Sequence, residues 1–391
     1  MKSPGYYKGR EQTYLKHFFL DKYLETVLFH IGFAQSEFVY VDCFSGPWRH
    51  EHEDLADTSI RISLDKLNYV REALGKQQKH PAIRAIFVEK DPIAFAALQH
   101  TIGQHHGGVK TVAFPGEFED NIPRILGEVG KGFAFCFIDP TGWSVAMQRL
   151  QPLLRHKPSE VMINFMYDFI NRAINSEDPT TAASLDRFFG THTWRTLRDV
   201  GDRETAIINF YEDRIRTVGN FTYVTSTKIL KPLQERAYFH LIYATRSSKG
   251  IEKFRDVEKQ LVLEQQKVRA TAQRENREQQ SRQDEFQFND SGTLSSSVEE
   301  ERATQIMKAK GRLFELLQGR DRQYGELLAE LLQLRLFWRT DLNDLLKKER
   351  WPAGRILIDG MKALQRVPNE GCIIRLASAA GPDASAQRGT P

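Results

Sequence analysis

Three acidic residues stand where an apolar run stops and a turn begins: Asp42 after Phe38-Val39-Tyr40-Val41, Glu89 after Ala85-Ile86-Phe87-Val88, and Asp139 after Phe135-Cys136-Phe137-Ile138. A carboxylate at the end of a buried strand faces the edge where loops leave an open sheet, and open sheets bind ligands at that edge. Each acid suits a different task. Asp42 opens Cys43-Phe44-Ser45-Gly46-Pro47-Trp48, a tight turn in which Ser45 and Gly46 let a ligand approach the backbone while Asp42 binds an ammonium group of amino-acid type. With one glycine the stretch also reads as a plain strand-to-loop turn. Glu89 sits where an acid accepts both hydroxyls of a ribose, and equally where it caps a helix starting at Asp91-Pro92. Phe118, in Gly116-Glu117-Phe118, has a ring that can stack on an adenine or join the core. Asp139 opens Asp139-Pro140-Thr141-Gly142-Trp143, where the proline stiffens the turn. Asp139 is expected to face Asp42 across a crevice, and with Pro140 to hold the reacting group.

Other polar groups have weaker claims. Asn164, Tyr167, Asp168 and Asn171 follow the fifth apolar run closely, and they either line the same crevice or cap a helix. His50-Glu51-His52-Glu53-Asp54 carries metal-capable side chains, but two histidines at i, i+2 without a clear third ligand read as surface. His105-His106 reads the same way, and no metal is expected.

The elements that must position these acids are legible as alternation. Apolar runs at 38–44, 82–90, 109–114, 133–139 and 160–169 are separated by helical stretches, which predicts a parallel sheet covered on both faces, a doubly wound α/β fold. An amphipathic helix over 14–33, through Leu15, Phe19, Tyr23 and Val27, is expected to pack on the sheet edge. After a helix-rich insertion from about Asn171 to Asp213, runs at 221–230 and 237–246 predict an antiparallel hairpin at the sheet edge. This is a class I methyltransferase-like, Rossmann-like pattern spanning residues 1–265. Residues 266–302, rich in Gln, Ser and Glu, read as a linker. Order is expected to resume at Ala303, with a second helix over 324–332, a third over about 341–350 capped by Thr340, and short strands at 355–359 and 371–377. Three helices and a hairpin over 303–377 predict a winged helix-turn-helix, and 378–391 a disordered tail.

Composition bounds the rest. The chain has 391 residues, 40% hydrophobic and 27% charged, a globular mixture of a size that favours two domains. No apolar run reaches the ~20 residues of a membrane span, and the first residues lack the apolar region of a secretory signal, so a cytoplasmic location is expected. Cys43, Cys136 and Cys372 lie far apart and read as free thiols. Residues 301–377 hold 15 Lys/Arg against 10 Asp/Glu, a local +5 beside a net charge of +4 for the whole chain. That excess fits a polyanion or a solvated surface. Arg339, Lys347, Lys348 and Arg350, on and before the third helix, would contact nucleic acid, DNA or RNA, with Trp338 and Trp351 packed beneath.

Taken in order, Thr13-Tyr14-Leu15-Lys16-His17-Phe18, Tyr40-Val41-Asp42-Cys43-Phe44-Ser45-Gly46-Pro47, Phe87-Val88-Glu89-Lys90, Phe137-Ile138-Asp139-Pro140-Thr141-Gly142 and Ile163-Asn164-Phe165 resemble the three-Cys-motif partner (TcmP) family over nearly the whole chain. The resemblance implies a methyltransferase-like domain with a C-terminal winged helix, and a partner protein carrying a three-cysteine, radical-SAM-like motif. The chain's own three cysteines are unrelated to that motif. The expected function is S-adenosylmethionine-dependent methylation of nucleic acid or a nucleic-acid-linked substrate, with Asp42, Ser45 and Gly46 at the methionine end of the cofactor, Glu89 at the ribose, Phe118 at the adenine, and Asp139 and Pro140 at the acceptor. The alternative is a non-catalytic scaffold. Amino-methyltransferases carry Asp-Pro-Pro-aromatic where this chain has Asp139-Pro140-Thr141-Gly142-Trp143, which weakens the case for methylation of an adenine amine.

Overall fold

The computed structural model describes residues 3–46, 58–104, 107–140, 142–281, 294–362 and 364–377. The chain divides between Glu299 and Glu300 into two compact units. The first alternates helices and strands as α1 (Glu11–Ala34), β1 (Glu37–Asp42), α2 (Ser59–Lys76), β2 (Ala82–Glu89), α3 (Pro92–Gln104), β3 (Lys110–Pro115), α4 (Phe118–Val129), β4 (Phe133–Ile138), α5 (Met147–Arg155) and β5 (Ser159–Phe165). Helices α6 (Tyr167–Ile174), α7 (Pro179–Phe189) and α8 (Arg203–Gly219) follow, then β6 (Tyr223–Leu230), β7 (Ala237–Thr245) and α9 (Ser248–Ser281).

The seven strands form one mixed, mostly parallel sheet in the order β3-β2-β1-β4-β5-β7-β6. β1 to β5 are parallel and β7 runs antiparallel to both β5 and β6. Strand periodicity sorts the side chains. Val39, Val41, Ile86, Val88, Ala134 and Cys136 point to one face, covered by α4 to α8. Phe38, Tyr40, Phe87, Phe133, Phe135 and Phe137 point to the other, covered by α1, α2 and α9. Burial on both faces explains why these runs are apolar without a polar alternate. The parallel register sets Asp42 opposite Phe87 on one side and Phe137 on the other, so the carboxyl ends of the central strands share one edge.

Three expectations are corrected. Helix α1 lies on the aromatic face rather than at the sheet edge: the Tyr23 ring is 5.3 Å from Phe135 of β4, and its hydroxyl is 2.7 Å from both Glu160 Oε2 and Tyr243 OH. The fifth run stops being a strand at Phe165, because Tyr167 begins α6. The antiparallel hairpin does lie at the sheet edge as expected, with β7 paired to β5 and β6 outermost. The polar linker begins later than composition suggests. Residues 266–281 complete α9, where Val268 and Arg269 are buried and the Arg269 guanidinium reaches Lys231 O, Gln234 O and Glu235 Oε1. A helix with one narrow packed stripe is mostly polar, so its composition imitates a linker.

The second unit is smaller. It contains most of α10 (Ser296–Leu317), then β8 (Arg322–Gln323), α11 (Tyr324–Leu331), α12 (Arg339–Arg350), β9 (Ile356–Asp359) and β10 (Ile373–Leu376). Its strands make a three-stranded antiparallel sheet in the order β8-β10-β9. Helix α10 starts before the expected Ala303. Helix α12 is capped at Trp338, whose backbone N–H donates to Asp341 Oδ2 at 2.8 Å, and not at Thr340, which lies inside it. Residues 282–293 and 378–391, the cores of the expected linker and tail, fall outside the described residues. Among the described residues no helix is long and apolar enough to cross a membrane.

Candidate functional site

A cleft of about 630 Å³ opens at the carboxyl ends of β1, β2 and β3, within the ~300–1,000 Å³ usual for small-ligand sites. Gly46, Glu89, Gly116, Phe118 and Asp139 all line it. Glu89 is only 8% exposed, and its Oε1 accepts the Asp91 backbone N–H at 2.7 Å. Asp91, not Glu89, caps α3, accepting from Ile93 N and Ala94 N at 3.0 and 2.8 Å. Of the two roles open to Glu89 from sequence, the helix cap is therefore taken by its neighbour. Gly46 faces the Glu89 carboxyl so closely that a Cβ there would fall on the carboxylate and lie 2.9 Å from Cδ. Gly116 holds φ +101°, which glycine adopts without strain, and donates its N–H to Glu89 O at 3.0 Å. Ile93, apolar yet 83% exposed, stands at the cleft mouth.

Two expected contacts are rearranged. Asp42 is fully buried and not among the residues lining the cleft. Its Oδ1 accepts from Phe44 N at 3.2 Å, while Ser59 Oγ and Tyr40 OH donate to Oδ2 at 3.1 and 3.4 Å. It shapes the turn from beneath instead of meeting a ligand's ammonium group, because those donors already fill its inward-facing carboxylate. Burial, and secondarily the charge of Asp139, push its pKa up to about 6 against these hydrogen bonds. Ser45 works as a clip: its N–H donates to Val88 O at 2.8 Å, and its hydroxyl lies 3.2 Å from both Asp42 O and Val88 N. Phe118 is 2% exposed and packs against Phe44 with ring centroids 5.3 Å apart. It joins the core while reaching the cleft wall.

On the other side of the crevice, Asp139 is held at both oxygens. Lys16 Nζ lies 2.5 Å from Oδ2, and Asn164 Nδ2 donates to Oδ1 at 2.6 Å. Pro140 is buried and does not line the cleft. Of the polar cluster after β5, only Asn164 is seen to engage Asp139. Asp168 instead pairs with Lys231 and Arg236 at 3.1 and 2.6 Å, and Tyr167 packs on His240. Lys16 was missed from sequence. The signal was available: Lys16, Leu20 and Tyr23 share one helical stripe, and a lysine on a stripe whose other members are fully buried needs an acidic partner. Pro47, Trp48, Thr141 and the histidine-containing stretches at 50–54 and 105–106 lie outside the described residues.

No family model matches this chain, and no curated protein matches it. The geometry carries the functional reading.

In the second unit, Lys347, Lys348 and Arg350 project from α12 as exposed side chains. Arg339 is partly covered, its guanidinium 3.8 Å from Glu370 Oε1 and 6.0 Å from the Tyr324 ring centroid. The two tryptophans part ways. Trp338 is buried beneath the Arg302 guanidinium at 3.6 Å, whereas Trp351, expected to pack beneath α12, is 80% exposed. Helix α12 ends before Trp351, whose extended backbone carries the ring off the packed face.

Proposed function

We propose that the first unit is an S-adenosylmethionine-dependent methyltransferase acting on nucleic acid or a nucleic-acid-linked substrate. The observation that carries this reading is Glu89, a buried carboxylate at the end of β2 that lines a cleft beside the bare backbone of Gly46. An acid there can accept two ribose hydroxyls, and the missing side chain of Gly46 is what lets the Glu89 carboxylate sit against that backbone. The strand order 3-2-1-4-5-7-6, with β7 antiparallel to both neighbours, supports a methyltransferase-like reading of the Rossmann-like sheet. Exposed Ile93 and the edge of Phe118 offer apolar walls for an adenine. The cofactor would supply an electrophilic methyl group. Such transfer depends mainly on alignment of donor and acceptor, and the residues that set alignment are Asp139, Lys16 and Asn164. The ammonium and the amide fix the direction of the Asp139 carboxylate, and its remaining lone pairs can accept an N–H or O–H of the acceptor.

Calorimetric titration with S-adenosylmethionine and S-adenosylhomocysteine tests the reading. Saturable binding is expected in the native chain, weakened roughly tenfold or more by Glu89→Ala, since loss of charge-assisted hydrogen bonds costs ~1.5–3 kcal/mol. No binding by a folded chain would sink it. One observation favours the scaffold alternative: Lys16 and Asn164 already engage both oxygens of Asp139 without a substrate.

For the second unit, the order α10-β8-α11-α12-β9-β10 with sheet order β8-β10-β9 supports a winged helix that binds DNA or RNA through Lys347, Lys348 and Arg350, with Arg339 at the helix entry. Salt dependence tests it. If both lysines contact phosphates, the double variant Lys347→Ala, Lys348→Ala lowers the slope of log affinity against log salt by about two, and an unchanged slope would direct attention to a protein partner. The three-Cys-motif, radical-SAM-like protein implied by resemblance is the partner to try first.

A further inference from the structure

A second cleft, of about 680 Å³, opens beyond the Asp139 loop. Its walls are aromatic: Trp143 and Tyr238, both half-buried, Phe169, and Phe188 at the floor. Phe169 is unusual for its place. Helix α6 buries Tyr167, Ile170, Ala173 and Ile174, yet Phe169 lies on the wet side of the same helix, 38% exposed, where an amphipathic helix ordinarily carries polar residues. Phe188 is fixed from behind by a parallel stack on Tyr211 at 5.0 Å. Planar side chains left open on a cleft wall suit a flat ring.

The cleft also meets positive charge on two walls. The Arg172 guanidinium lies 4.9 Å from the Phe169 ring centroid, and Lys231 Nζ lies 5.9 Å from that of Tyr238. Both cations belong to one cluster around the Asp168 carboxylate, together with Arg236, at 3.9, 3.1 and 2.6 Å. Three cations against one carboxylate leave two positive charges in excess. Arg172 is 63% and Arg236 46% exposed, so both can take an anion from solvent. A fourth cation, Arg187, lines the cleft itself. The two clefts are linked through Asp139: it lines the first, while Asn164, which donates to it, also contacts Met166 of the second at 3.5 Å.

We infer that this second cleft binds a nucleotide, its base among Trp143, Phe169 and Tyr238 and its phosphate on Arg172 or Arg236. The inference rests on the proposed reading of the first cleft for its purpose, since it makes the base the methyl acceptor presented to Asp139. It does not rest on that reading for its test. Stacking on aromatic side chains is tolerant of base identity, so the occupant is a nucleotide as a class. A free nucleotide and a nucleotide within a single strand would present the same chemistry.

The test is titration of the full chain with nucleosides, nucleoside 5′-monophosphates and a short single-stranded oligonucleotide, followed by Trp143 fluorescence as the difference from Trp143→Phe. Quenching is expected. Binding of the oligonucleotide alone identifies a strand as the source, and binding of monophosphates as well includes the free nucleotide. Phe169→Ala should weaken binding roughly tenfold or more, Phe169→Tyr should retain it, and Arg172→Gln should weaken the monophosphate while sparing the nucleoside. None of these should alter S-adenosylhomocysteine affinity in parallel calorimetry. Absence of quenching, or quenching abolished by saturating S-adenosylhomocysteine, overturns the inference. A chain that binds S-adenosylhomocysteine but no nucleotide refutes the second cleft and spares the first, and the converse result refutes only the first.

Discussion

Asp42→Asn is expected to make the protein more stable at neutral pH, and by an amount that depends on pH. The native carboxyl titrates at about 6, against ~3.9 in an unfolded chain. Between those values the folded chain holds a proton that the unfolded chain releases. Stability from this group is therefore complete below about pH 4 and lost as pH rises through about 6, a difference of about 3 kcal/mol at one pKa unit per ~1.4 kcal/mol. Asparagine carries no such charge. Its amide nitrogen replaces one of the two oxygens and so faces one of the donors, Phe44 N or Ser59 Oγ, that now meet the carboxylate, and a net gain of about 1–3 kcal/mol is expected. Urea unfolding of both proteins at about pH 4.5 and about pH 7.5 checks it. The variant's advantage should appear mainly at the higher pH, and an advantage equal at both would mean that Asp42 is not the titrating group. The task of Asp42 is positioning, since it holds Phe44 and Ser59 rather than lining the cleft.

Gly46→Val is expected to abolish binding in the first cleft while leaving the sheet intact. The new Cβ would fall on the Glu89 carboxylate, and the two added methyl groups would occupy the space beside it. Glu89 cannot swing aside freely, because Oε1 is held by the Asp91 N–H and the side chain is 8% exposed. On the proposed reading, moving the acid would remove its hydrogen bonds to a ribose and narrow the cleft at once, so affinity for S-adenosylhomocysteine should fall about a hundredfold or more, on the order of 3 kcal/mol. Calorimetry gives the affinity and circular dichroism checks the fold. Retained affinity in a folded Gly46→Val chain would move the cofactor away from Glu89. The pairing with Glu89→Ala is informative, because alanine removes the acid without filling the space.

Much of this architecture is local, and local features are legible in a chain. Runs such as Phe133-Ala134-Phe135-Cys136-Phe137-Ile138 are apolar at every position because helices cover both faces of the sheet, so strands and their carboxyl-end acids could be located by inspection. That Asp42, Glu89 and Asp139 share one edge follows from parallel strands alone. What those acids touch does not. The burial of Asp42 beneath the cleft depends on how the β1 turn and Ser59 of α2 close over it, and the pairing of Asp139 with Lys16, 123 residues earlier in the chain, depends on how α1 settles on the aromatic face. The end of α9 escaped notice for a related reason: its packed stripe of Gln265, Val268 and Arg269 contains two polar residues, buried because carbonyls of the β6–β7 turn meet Arg269 and the Leu230 N–H meets Gln265. Hydrophobic periodicity and turn chemistry act within a few residues and so determined the elements and their order; hydrogen bonds and ion pairs between distant segments are satisfied only once packing brings them together, and tertiary structure alone decided which carboxylates face the cleft.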